Sequence, residues 1–93
     1  MMIIVKYPPS HKISLDKIKL AKDGDVIVLI QDGVLYALDE KLMTDLKNKG
    51  VEVKALKDDF TCRGYSEEES FADLIGYDEF IDITVEKGER VIG

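Results

Sequence analysis

Ninety-three residues, with 19 acidic and 13 basic side chains and a net charge of −6, leave room for one domain with a modest core. They give no broad electrostatic grip on a nucleic acid, so direct nucleic-acid binding is not expected. No apolar run approaches the roughly 20 residues that cross a bilayer, and the start MMIIVKYPPS lacks the layout of a secretory signal, so a cytoplasmic protein without membrane contact is expected.

Residues 2–7 form a β-rich run closed by Pro8 and Pro9, neither of which continues a central strand. Ser14 is placed to cap a helix over residues 15–22, with Asp16 in the first turn, Leu15, Ile18 and Ala21 on one face, and Lys22 near the negative end. Lys22-Asp23-Gly24-Asp25 turns the chain. VIVLI, residues 26–30, has no polar alternation and reads as the central strand of a parallel sheet, covered on both faces. Leu35, Leu38, Leu42 and Leu46 then follow at spacings of three, four and four, the stripe of one helix face. Lys47 and Lys49 close that helix, and Gly50 takes the left-handed position after it.

VEVKAL, residues 51–56, alternates apolar and charged residues and reads as a third strand, more exposed and nearer an edge. DDFTCRG makes a brief helix stopped by Gly64, and Ser66 with Glu67, Glu68 and Glu69 reads as a capped acidic turn. FADLI, residues 71–75, fits a fourth strand or a helical turn. In YDEFIDITVEKG, residues 77–88, a helical face and a strand alternation compete, and periodicity does not separate them. Alternating strands and helices predict an α/β fold in one domain, residues 1–93.

In such a sheet, ligands and partners are met at the carboxyl end of a central strand, where Gln31, Asp32 and Gly33 stand. Asp32 reads either as an N-cap, accepting bonds from free amides of the next helix, or as a partner or ligand contact. Gly33 lets another backbone come close. No glycine-rich phosphate loop follows any strand, so a nucleotide-binding reading lacks support.

Three segments, GDVIVLIQDGVLYAL, VEVKALKDDFTCRGYS and LIGYDEFIDITVEKGERVIG, resemble in order the DsrH/TusB branch of the DsrE/DsrF/DsrH (TusBCD) sulfur-relay family. That branch has a strand ending in Leu-Gln-Asp/Asn-Gly, then Ala-Leu-x-x-Asp followed by Arg-Gly, then Tyr-x-x-Phe-hydrophobic-x-Leu/Ile-Thr-Val. The resemblance spans residues 24–93. It implies a flavodoxin-like three-layer α/β/α subunit with a mostly parallel sheet of four or five strands, and a helix at the Tyr-x-x-Phe segment. It also implies assembly with DsrE/TusD-like and DsrF/TusC-like subunits, or with itself as a homo-oligomer. The complex passes persulfide sulfur toward 2-thiolation of wobble uridine in transfer RNA, or serves sulfur oxidation, and no cofactor is implied. Interface or pocket candidates are then Gln31, Asp32, Gly33, Asp59 and Arg63.

A relay needs a reachable thiolate, matched in pKa to its acceptor. In the persulfide-bearing relatives that cysteine sits where strand three meets its helix, which the Arg63-Gly64 alignment sets at Leu56. Cys62, the one thiol, lies near the helix end, where the dipole disfavours a thiolate. Arg63 pulls toward the thiolate, and Asp58 and Asp59 pull away. Cys62 reads as a small, partly buried hydrophobe or, in the alternative, as the catalytic sulfur carrier of a sulfurtransferase. His11, the only histidine, reads as a surface residue. The acids Asp58, Asp59, Glu67, Glu68 and Glu69 fit no metal-ligand spacing and read as a solvated face.

Overall fold

The computed structural model describes residues 1–87 and 91–92. Five strands, β1 (Met2–Val5), β2 (Val26–Leu29), β3 (Glu52–Leu56), β4 (Asp73–Ile75) and β5 (Val91–Ile92), form one sheet in the order β4-β3-β2-β1-β5. Every ladder is parallel: Ile3 pairs with Ile27, Ile27 with Val53, Ala55 with Leu74, and Ile3 with Ile92 on its other side. The helices are α1 (Lys12–Lys19), α2 (Glu40–Asn48), α3 (Lys57–Cys62) and α4 (Tyr77–Lys87), with 3₁₀ segments at Gln31–Leu38 and Glu67–Glu69.

Strand periodicity sorts the core into two layers. Ile3, Val5, Ile27, Leu29 and Ala55 meet Ile18 of α1, Val34 and Tyr36 of the 3₁₀ helix, Leu46 of α2 and Phe60 of α3. Met2, Val26 and Val28 face the other way, against Phe80 and Ile83 of α4. Right-handed crossovers account for this division. The chain steps from β1 to β4 in one direction, which keeps those connections on one face, then returns past β1 to β5 with α4 on the opposite face. All four residues of β2 are buried, as expected of the central strand. The second face stays polar beside α4, where Lys54 donates to Asp73 at 2.9 Å. That hydrogen bond is the main reason the amine of Lys54 is held above its ordinary value.

Several local expectations are corrected. The first helix starts three residues early, because the amide of His11 bonds the Pro8 carbonyl at 2.9 Å and that of Ser14 bonds His11 at 3.2 Å, which begins the coil already. Ser14 is therefore inside the helix and buried, its hydroxyl donating to the Tyr7 carbonyl at 3.3 Å. The leucine stripe belongs to two elements, since Asp39 breaks the coil and caps α2 by accepting from the Leu42 amide at 3.0 Å. Ser66 makes no side-chain cap. Residues 71–75 supply a strand, β4, and the disputed tail segment is the helix α4. Gly50 and Gly64 have φ of 88° and 90°, the left-handed conformation that ends α2 and α3.

Candidate functional site at the carboxyl end of the sheet

The connection leaving β3 enters the main helical layer through α3, and that leaving β4 enters α4 on the opposite face. Adjacent strands whose connections part in this way open a crevice at their carboxyl ends. The chain leaves the two strands there at Leu56 and Lys57 after β3, and at Gly76 and Tyr77 after β4.

Beside this crevice the chain leaves β2 through Gln31, whose φ is 49°. A non-glycine residue in the left-handed region costs roughly 1–2 kcal/mol and persists only where its surroundings hold it. One contact holds it here. The Gln31 amide donates to the Asp59 carboxylate at 2.7 Å. Two residues on, a Cβ at Gly33 would collide with the Val5 carbonyl at the end of β1, so only glycine passes.

Asp32 does not cap a helix, and no side chain caps the 3₁₀ segment. Its carboxylate accepts from Arg63 instead, through Nε and Nη2 at 2.9 Å each. The third guanidinium nitrogen, Nη1, donates to the Asp59 carbonyl at 2.8 Å, one of the carbonyls left over where α3 ends. The five candidates Gln31, Asp32, Gly33, Asp59 and Arg63 are thus one cluster that ties the exit of β2 to α3. The Gln31 backbone amide, Asp59 and the Arg63 guanidinium bond within the cluster, while Gln31 and Asp32 stay exposed.

Cys62 is exposed, which corrects the expectation of a partly buried hydrophobe. It ends α3, and six helical residues put it about 9 Å along the axis from the end of β3. Leu56 does stand where β3 meets α3, 3% exposed, and it has no atom that could accept or release sulfur.

His11 is half-buried, not on the surface. Its ring stacks on Tyr7 with centroids 4.6 Å apart, and its Nδ1 is enclosed without a hydrogen-bond partner. Burial raises the Tyr36 phenol above its ordinary value, with the neighbouring Ser14 hydroxyl opposing. Neither feature has a signal in the sequence beyond an aromatic residue at a buried position. Of the five acids, Asp59 alone is half-buried. No group of three or more His, Cys, Asp or Glu side chains able to hold a metal occurs among the described residues. A groove of about 360 Å³ lined by Met43, Lys47, Glu52, Val53, Phe71 and Asp73 opens at the amino ends of β3 and β4, the opposite end of the sheet. No described helix is long and apolar enough to cross a membrane.

Comparison with known proteins bears on the same elements. The solution structure of protein Tm0979 from Thermotoga maritima is 47% identical, covers 100% of both chains and superposes with a TM-score of 0.74. A second solution structure of that protein, described as a candidate sulfur transferase, gives a TM-score of 0.67 at 45% identity over 98% of this chain and 97% of that one. Protein TusB of Enterobacter sp. strain 638 is 34% identical over 87 residues, 91% of this chain and 92% of the relative. Protein TusB of Pectobacterium carotovorum strain PC1 is 41% identical over 70 residues, 73% and 74% of the two chains. The family described as DsrH-like protein matches residues 8–89, from the loop after β1 through α4, and this chain belongs to the DsrH-like family.

Proposed function

We propose that this chain is a subunit of a cytoplasmic sulfur-relay complex and acts by assembly, shaping the surroundings of a partner's persulfide cysteine. The observation that carries this reading is Leu56. It occupies the strand-to-helix junction beside the crevice, 3% exposed, where a thiol would stand at the start of a helix and be activated. The cluster of Gln31, Asp32, Gly33, Asp59 and Arg63 fixes the neighbouring loop as a rigid surface for DsrE/TusD-like or DsrF/TusC-like subunits. The sulfur then passes to a transfer-RNA thiolation or a sulfur-oxidation acceptor beyond this chain. The net charge of −6 supports protein partners over a direct contact with RNA.

A second reading has one observation in its favour, the exposure of Cys62. In it, the Cys62 thiolate attacks the outer sulfur of a donor persulfide, forming Cys62–S–SH and releasing the donor as a thiol. Intact mass after incubation with a persulfide-loaded cysteine desulfurase, with Cys62→Ser as control, separates the two. No added sulfur on this chain, with a partner subunit labelled in the same tube, is the expected result. One sulfur gained on the wild type alone would make Cys62 the carrier and overturn the proposal.

A further inference from the structure

Strand β4 starts late, and the first residues of β3 beside it keep an open edge. The Glu52 amide donates to the Asp25 carbonyl at 3.1 Å, toward β2, and successive residues of a strand turn their amides to opposite sides. The Val53 amide therefore points to the β4 side. The ladder there begins with Asp73 opposite Lys54, so the carbonyl in register to accept from Val53 is that of Phe71, two positions earlier. At Phe71 the chain bends out of the ladder, its own amide bonding the Ala37 carbonyl at 2.8 Å. Among the described residues the Val53 amide has no partner, and a half-buried backbone donor is seldom left so.

Val53 lines the groove of about 360 Å³ at this end of the sheet, a volume in the range of small-molecule sites. Lys47 and Met43, one turn apart on α2, form one wall. Lys47 is exposed, and its ammonium holds no ion pair among the described residues. Ala72 and the Phe71 ring, 52% exposed, form the other wall. Two acids also reach the groove, Glu52 and Asp73. They stand in register with Val26 and, through Lys54, with Val28, so their side chains leave the sheet on the face that α4 covers. Asp73 is already matched by Lys54 at 2.9 Å. On the α2 side the groove therefore offers one backbone donor, one cation and an apolar lining. We propose that it binds a small apolar carboxylate. One oxygen accepts from the Val53 amide, the charge faces Lys47, and the hydrocarbon part rests on Met43, Ala72 and the Phe71 ring. The inference stands whether or not the chain handles sulfur.

An NMR titration of the amide resonances at neutral pH tests it, with hexanoate as the probe and hexanamide and hexylamine as controls of the same shape. Hexanoate should bind saturably with a Kd on the order of 1 mM, and the Val53 amide should move downfield as it gains an acceptor. Lys47→Ala removes an exposed side chain and should weaken hexanoate about fivefold, the upper end for an exposed charge pair. Lys41→Ala, on the same helix outside the groove, should leave the Kd unchanged. The amide should bind more weakly than the acid, and the amine should not move Val53. A Kd above about 50 mM, saturation that leaves the Val53 amide in place, an amide or amine that binds as tightly as hexanoate, or a Lys47→Ala chain that binds like wild type would each overturn the inference.

Discussion

Gly33 and Asp25 show how much single residues decide. At Gly33 even one methyl group meets the Val5 carbonyl, and the chain can relieve this only by pulling the exit of β2 away from β1. Gly33→Ala is expected to cost about 2 kcal/mol, in the range of overpacked sites, read as a lower urea midpoint at unchanged slope. Asp25 accepts the Lys22 amide at 2.9 Å, the first cause of a carboxyl held below its ordinary value of 3.8. A carboxyl with a lowered folded-state pKa stabilises the fold fully above its unfolded value and loses that contribution as pH falls through the folded one. Wild type should therefore lose more stability than Asp25→Asn between about pH 5 and pH 2, and equal losses in urea titrations would refute the role. The position of Gln31, Asp32 and Gly33 at a strand end was readable from the sequence. Their roles were not, because Asp59 and Arg63 lie about 30 positions away and a left-handed glutamine looks like any other polar residue after a strand.

Among the elements, strands were easier to read than helices. VIVL is apolar throughout and has no alternative to burial on both faces, whereas the leucine spacing through residues 35–46 continues smoothly across a break that only Asp39 marks. That side chain caps α2 through the Leu42 amide, so Asp39→Ala is expected to cost about 1 kcal/mol in thermal or urea unfolding. A stability equal to wild type would mean that the 3₁₀ segment, not the cap, starts the helix. The tail resisted periodicity for a different reason. Helix α4 carries two apolar stripes, Phe80 and Ile83 facing the sheet and Tyr77, Ile81 and Val85 facing outward, and together they fill enough positions to imitate a strand.

Across the whole molecule the two sides of the sheet are unequal. Four helical segments and a large cluster cover one face, and α4 alone covers three buried residues of the other. Segments with few buried contacts open first. Native-state hydrogen exchange should release α4 amides well before those of β1 and β2, and uniform protection would show that α4 opens only with the whole fold. The parallel α/β architecture follows from the chain's alternation of elements. The strand order does not, because no residue in the sequence announces that the last described strand joins the first. That order has a consequence for synthesis. One edge of β1 is covered by β5, and residues 6–90 must be made between them, several seconds at about 5–20 residues per second. Until then β1 presents an open strand edge, the template on which nascent chains pair wrongly, with Met2 on the side that α4 will cover. Until β5 has emerged, that edge of the growing chain stays open to wrong pairing.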